Sequence, residues 1–437
     1  MATPPTDSND KTVVRLKRPT DDTLKGRQGA ASPARRGGLR ADQVRYLVVA
    51  WIALTVIAGV CAFVGIYAFT NGEGVKFTDA TPLAQVPTAT STPFPTFAPF
   101  PTPVPPTQSP DTGGGVAQPT LPPIQAFNLG GQAIHGGFPH AEQMTKAGMT
   151  WAKLQAYDLT VDFGPAIVNA HNLGFRILVS VKDEANKQQV TSPAYQQQFA
   201  AYLVTLAQQG ADAIEVWNES NIDREWPTGQ ISGQAYTQLL QLVYPQIKAA
   251  NPNTMVISGA LSPTGFFGGG CSPQGCDDKP FLEAMVAADA MNYADCVGIH
   301  YNEGILPPSA TSGDPRGNPN HYTRYYQTMV NTYLTATGGQ KPLCFTELGY
   351  LAGGEYPNLG QTAPGFAWAA KTTLAQQAQW LAEAADMAKA SNGQVRLLIV
   401  FNVDLETGGA DPQSGYAIIR PDGSCPACDT LAVVMSK

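Results

Sequence analysis

Residues 126–437 are predicted to fold as a (β/α)₈ barrel, and three observations predict it. Strand-like and helix-like runs alternate along these roughly 310 residues, giving eight strand-like segments in all. Those segments are short, apolar and rich in β-branched and aromatic residues, as strands buried on both faces are. Two of them end on a glutamate, Glu219 and Glu347, and barrel strands present their chemistry at the C-terminal end. A doubly wound open sheet shares the alternation. However, no G-x-G-x-x-G or G-x-x-x-x-G-K-[ST] follows the first strand, so its nucleotide-binding versions lose support.

Ahead of the barrel lie three segments of different composition. Residues 1–45 contain ten Lys/Arg against five Asp, show no apolar periodicity, and read as a disordered basic tail. Residues 46–69 contain no charged side chain, and roughly 20 such residues suffice to cross a bilayer as a helix. A cleaved signal peptide has a shorter apolar core nearer the N-terminus. The positive charge before the span puts the N-terminus in the cytoplasm and everything after residue 70 outside the cell. Residues 70–125 are a linker rich in Pro, Thr and Ser, a composition that favours extended polyproline II at about 3.1 Å per residue. The expected protein is therefore single-pass, with its globular domain displayed outside.

From residue 126 the strands are read at 127–132, 150–155, 176–182, 213–219, 254–261, 296–301, 342–350 and 395–403. Helices fall between them at 139–148, 165–173, 193–209, 232–250, 280–291, 321–336 and 374–391. Ser192-Pro193 and Lys279-Pro280 are suitable helix starts, because proline is tolerated in a first turn. A domain of this size buries about three quarters of its unfolded surface, enough for one core.

Charge and cysteine narrow the partners. With the basic tail set aside, the chain has 17 basic and 29 acidic residues. That balance is unsuited to nucleic acid, whose binding rests on phosphate neutralisation, and is compatible with neutral polysaccharide. No obligate protein partner is evident. Cys61 lies in the span, and the six cysteines beyond it suit disulfides in an oxidising compartment. Cys271 and Cys276 bracket a tight loop and are the best candidate pair. Cys425-Pro-Ala-Cys428 reads as a small C-terminal staple, since no second CxxC or neighbouring His supports zinc. Cys296 and Cys344 are read as buried thiols.

The chemistry starts from the two glutamates. Two carboxyl groups converging on one cleft are what cleavage of a glycosidic bond requires. Glu219 closes Ala213-Ile214-Glu215-Val216-Trp217-Asn218-Glu219, and Glu347 lies in Leu343-Cys344-Phe345-Thr346-Glu347-Leu348-Gly349-Tyr350. A two-residue period places Glu215, Trp217 and Glu219 on one face, with Glu215 available to pair with Lys153 on the second strand. Lys182 and Asp183, after the third strand, are open to either a substrate hydroxyl or solvent.

Trp217-Asn218-Glu219-Ser220-Asn221 resembles the Asn-Glu signature that ends strand four in clan A glycoside hydrolases. Thr346-Glu347-Leu348-Gly349 resembles the strand-seven nucleophile motif of the same clan. With Asn221 and Trp226 after the acid, the first stretch is especially similar to the xylosidase-like branch. The resemblance spans 126–437 in layout, but only these two motifs are specific. It implies a retaining hydrolase with Glu219 as acid/base and Glu347 as nucleophile, a double displacement on a β-linked oligo- or polysaccharide. Glu219 must then hold a proton near neutrality while Glu347 stays ionised.

By the same resemblance, Asn218 bonds the sugar 2-hydroxyl, and His300 or Tyr301 sits beside the nucleophile, with Tyr301 favoured. Lys153 occupies a position where many members carry an Arg that fixes the nucleophile; it offers a point charge in place of a fork. Phe401 stands where much of the clan has a Trp platform. Trp226, Tyr350, Tyr356, Phe366 and Trp368, in loops after strands four and seven, are candidates for a stacking floor. The Pro/Gly/Ser-rich loop 302–320 is long enough for a lid.

No cofactor or catalytic metal is expected. His135, His140, His171, His300 and His321 are scattered, and there is no HExxH or EF-hand loop. The absence of GxSxG disfavours an esterase. The departures at Lys153 and Phe401 leave one alternative open: a catalytically silent barrel that binds or senses glycan.

Overall fold

The computed structural model describes residues 121, 123–405 and 412–437. The basic tail, the expected span at 46–69 and nearly all of the linker lie outside them. Among the described residues no helix is long and apolar enough to cross a membrane.

Eight parallel strands form one sheet: β1 (Asn128–Gln132), β2 (Trp151–Ala156), β3 (Arg176–Val181), β4 (Ala213–Val216), β5 (Met255–Ser258), β6 (Val297–Tyr301), β7 (Leu343–Leu348) and β8 (Val395–Val400). Their order is β5-β4-β3-β2-β1-β8-β7-β6. The remaining seam, β5 to β6, is closed by the parallel bridges Ile257–Cys296 and Leu261–Ile299. Gly298 makes that seam possible: a Cβ there would sit 2.1 Å from the Ser258 carbonyl oxygen, so any side chain would pry the barrel open.

Among the described residues, eight α-helices of six or more residues surround the sheet: α1 (Ala141–Lys146), α2 (Gly164–Asn172), α3 (Pro193–Gln208), α4 (Gly233–Ala250), α5 (Asp278–Ala287), α6 (Tyr326–Ala336), α7 (Leu374–Lys389) and α8 (Pro426–Met435). In α3, Tyr195, Phe199, Leu203 and Leu206 recur at three- and four-residue spacing and are all buried, the stripe a barrel-facing helix needs. Thr373 and Gln376 form a reciprocal capping box at the start of α7. α8 was not foreseen, because its opening residues read as a disulfide loop. It completes the ring after β8, with Thr430 Oγ1 donating to the Ala378 carbonyl of α7 at 2.7 Å.

Inside the barrel the floor is apolar, packed from Trp151, Leu178, Ala213, Ile257, Leu397 and Ile399 together with Cys296 and Cys344. Those two cysteines are joined in a disulfide with Cα atoms 5.9 Å apart, which corrects the reading of two free thiols. They belong to neighbouring positions at the entry of β6 and β7, and both side chains point inward, a proximity invisible across 48 residues of sequence. Cys271–Cys276 clamps a small hairpin, and Cys425–Cys428 staples the start of α8. Replacing Cys296 and Cys344 by Ala is expected to lower unfolding free energy by about 4 kcal/mol, from the closure entropy of a loop this long. The midpoint of chemical denaturation measures it.

Above the floor the interior turns polar: Lys153, Ser180, Glu215, His300 and Thr346 are all fully buried. The core thus grades from hydrocarbon at the N-terminal end to ionisable groups at the C-terminal mouth.

Candidate active site

Two local irregularities deliver the glutamates to the mouth. β4 ends at Val216, and the next residues do not continue its alternation. Trp217 and Glu219 have φ of +68° and +44°, left-handed values that cost non-glycine residues of order 1–3 kcal/mol each and cluster at functional sites. The first turn throws the Trp217 ring outward, against Phe199 at 5.4 Å and Trp226 at 5.7 Å. Glu215 and Glu219 both serve the interior, but Trp217 does not share their face. Its indole N–H instead donates to the Glu225 carbonyl at 3.0 Å and pins the loop beyond.

β7 carries a bulge. On β6, Ile299 and His300 pair with Phe345 and Glu347; on β8, Leu398 and Val400 pair with Phe345 and Leu348. One extra residue therefore sits on β7, and Thr346 and Glu347, which a regular strand would send to opposite faces, both reach the interior. Thr346 Oγ1 donates to Glu215 Oε1 at 2.7 Å and lies 3.1 Å from His300 Nε2.

These features bring both glutamates onto one imidazole. His300 Nδ1 is 3.2 Å from Glu219 Oε1 and 3.8 Å from Glu347 Oε2. The two oxygens cannot be further apart than those distances laid end to end. That ceiling brings the two carboxyl groups close enough to flank one glycosidic bond and admits the roughly 5–5.5 Å of a retaining pair. The register also decides between His300 and Tyr301. His300 points into the barrel, whereas Tyr301 points out, packs on Tyr326 and Tyr350, and donates to the Arg324 carbonyl at 3.2 Å.

Glu347 is held by two donors, Lys153 Nζ on Oε1 at 3.1 Å and Asn302 Nδ2 on Oε2 at 2.9 Å. Burial works against its charge, but His300 and Lys153 outweigh it and hold its carboxyl below the usual range. Lys153 is fully buried and also lies 3.8 Å from Glu215 Oε2, so it serves both the partner read from strand periodicity and the one implied by resemblance. Lys153→Met leaves two buried carboxylates, Glu215 and Glu347, without their shared ammonium. It is expected to destabilise the fold by about 3–5 kcal/mol, read from thermal or chemical unfolding, with part recovered in Lys153→Met/Glu215→Leu.

Glu219 differs from the expectation of a protonated acid. Burial would raise its pKa, but His300 on one oxygen and Arg224 on the other bring it down to about 2. Burial likewise opposes charge on His300, yet Glu347 and Glu219 raise its pKa. With both cations in contact, Glu219 is therefore a carboxylate.

The mouth is a cavity of about 540 Å³, with Asn218, Glu219, Glu347, Trp368 and Phe401 among its walls. Asn218 Oδ1 is buried there without a hydrogen-bond partner. Phe401 and Trp368 are half-buried; Phe401 meets Tyr416 edge-on at 5.3 Å, and Arg316 lies over the Trp368 ring at 5.6 Å. Phe366 also lines the cavity. Trp226 and Tyr350 do not. Trp226 is sealed between Trp217 and Tyr236, and Tyr350 between Tyr301 and Trp380, so both are packing residues that steady the loops. Lys182 is committed to Glu225 at 2.9 Å, and Asp183 is buried against the Tyr195 hydroxyl. Asn302 and Glu303, from the loop after β6, form one wall.

Arg224, Asn302 and Tyr416 escaped sequence reasoning. Only Asn302, directly after a barrel strand, carried a positional signal. Among the described residues no group of three His, Cys, Asp or Glu side chains is placed to hold a metal ion.

No protein-family model matches the chain, and no curated protein matches it. Solved structures do. A family 39 glycoside hydrolase from Bacteroides cellulosilyticus WH2 aligns with a TM-score of 0.49 and 17% identity, over 72% of this chain and 65% of its own. An endo-β-1,3-glucanase from Sorangium cellulosum aligns with a TM-score of 0.44 and 16% identity, over 69% and 97%. An endo-1,4-β-mannanase from Rhizomucor miehei aligns with a TM-score of 0.46 and 12% identity, over 71% and 95%. The chain thus spans just under two thirds of the first of these. Architecture at this distance does not choose a function; the side chains at the mouth must.

Proposed function

We propose that the barrel is a retaining glycoside hydrolase acting on a β-linked, uncharged oligo- or polysaccharide. The observation that carries the reading is the placement of Glu219 and Glu347 around one buried imidazole, at the floor of an open cleft on the C-terminal face. Glu347, fixed by Lys153 and Asn302 and ionised, is suited to attack an anomeric carbon. Glu219 is suited to protonate the leaving oxygen and then to activate water. Half-buried rings at Phe366, Trp368 and Phe401 suit the apolar face of a sugar, and Asn218 suits a ring hydroxyl. Carboxylates of Glu184, Glu219, Glu225, Glu303 and Glu347 outnumber Lys182 and Arg224 in the cleft, which favours neutral sugars over uronic acids.

Display outside the cell on the 46–69 segment belongs to the same proposal. The three disulfides support it, because they persist in oxidising compartments.

The test is turnover of a panel of aryl β-glycosides and polysaccharides by the purified protein, with the anomeric configuration of the first-formed product followed by NMR. Retention of the β-configuration supports the mechanism, and inversion overturns it. One observation favours a second reading, glycan binding without turnover: Arg224 engages the Glu219 carboxylate. Affinity for a glycan that is never hydrolysed would select that reading.

A further inference from the structure

Both oxygens of Glu219 are engaged by cationic groups, His300 Nδ1 on Oε1 at 3.2 Å and Arg224 Nη2 in close contact with Oε2. A carboxylate in contact with a cation on each oxygen is held in its charged form and has no proton to hand to a glycosidic oxygen. One of the two must withdraw. His300 is fully buried and is anchored at its other nitrogen by Thr346. Arg224 is the opposite case: its side chain is 69% exposed, and it stands on the loop after β4 and lines the cleft.

We propose that Arg224 is a displaceable cap on the acid: the incoming sugar on the leaving-group side pushes its guanidinium off Glu219, and only then does Glu219 take up a proton. The proposal rests on the hydrolase reading and makes Arg224 a positioning residue. Displacement does not strand the guanidinium, because its Nε is already 3.4 Å from Glu225 Oε1. The step balances simply. A solvent proton binds the freed Glu219 oxygen, then passes to the glycosidic oxygen as the bond to the anomeric carbon breaks and Glu347 forms the new one.

The cap reconciles a Glu219 ionised beneath Arg224 with an acid once the guanidinium has moved away. The other charged groups around Glu219 are His300 and Glu303 from β6 and the loop after it, Glu347 from β7 with Lys153 behind it, Glu215 beneath, and Glu225 with Lys182 beside it. All except Glu303 are largely buried, so Arg224 is the cation free to leave.

The sign follows. An opposite charge at contact lowers a carboxyl pKa by about one unit or more, so Arg224→Gln raises that of Glu219. The kcat/KM profile reports the free enzyme and kcat the complex. In Arg224→Gln kcat/KM is expected to rise about tenfold across the pH range well above the Glu219 pKa, while the pH profile of kcat stays in place. Arg224→Lys is expected to stay near wild type. A residue that merely orders the loop would lower kcat/KM, and a kcat/KM that does not rise in Arg224→Gln overturns the proposal.

Titration of the Glu219 carboxyl by ¹³C NMR, assigned with Glu219→Gln, needs no turnover. Its midpoint is expected to rise by about one unit in Arg224→Gln, and no rise overturns the cap. A wild type that hydrolyses nothing overturns the hydrolase reading instead, leaving this titration to decide the cap.

Discussion

Glu347→Gln is expected to lower kcat on every β-glycoside by at least about 10⁴-fold, because an amide cannot form the covalent intermediate. The fold should survive the change. An amide at 347 keeps its oxygen toward Lys153 and turns its NH₂ toward Asn302, where two donors would collide. Asn302 can resolve this by rotating its own amide, since its Oδ1 is buried without a partner. Lys153 keeps Glu215 at 3.8 Å as a counter-charge. Circular dichroism and the unfolding midpoint should therefore stay near wild type while turnover disappears. Residual activity within tenfold of wild type would remove Glu347 from the nucleophile's role.

Glu219→Gln should behave differently, and the leaving group decides how. Substrates with poor leaving groups need the proton and are expected to lose about 10²–10⁴-fold in kcat/KM. Aryl glycosides with acidic phenols leave unaided and should lose far less in the first step. Deglycosylation then lacks its base, so the glycosyl-enzyme accumulates, and added azide, which needs no base, should restore turnover. His300 tolerates the neutral side chain. With its Nε2 proton directed at Thr346, Nδ1 can accept from the new amide. Equal losses for good and poor leaving groups would show that Glu219 does not deliver the proton.

The strands were legible because each is a short apolar run on a parallel sheet, and periodicity is strongest there. The eight strands start within one residue of where their composition placed them. The endings were harder. Glu219 was read as the last residue of a strand that stops at Val216, because Trp217 adopts a left-handed turn that composition does not announce. Tyr301 was favoured over His300 since one residue of register exchanges the faces, and the register is set by pairing with β7. Trp226 and Tyr350 looked like sugar platforms because an aromatic in a loop has the same sequence signature whether it lines a cleft or braces it. Arg224 gave no sign at all: an exposed arginine in a loop is ordinary until the carboxylate beside it is known.

The supernumerary residue in β7 has a wider consequence. Whether Glu347 meets His300 or turns toward the surrounding helices is governed by that bulge, not by the identity of the residues before it. A β7 that ran in regular alternation from Thr346 onward would send Glu347 outward with every side chain still present. The position of this carboxyl is thus set by strand register, a quantity that scoring residue identity overlooks.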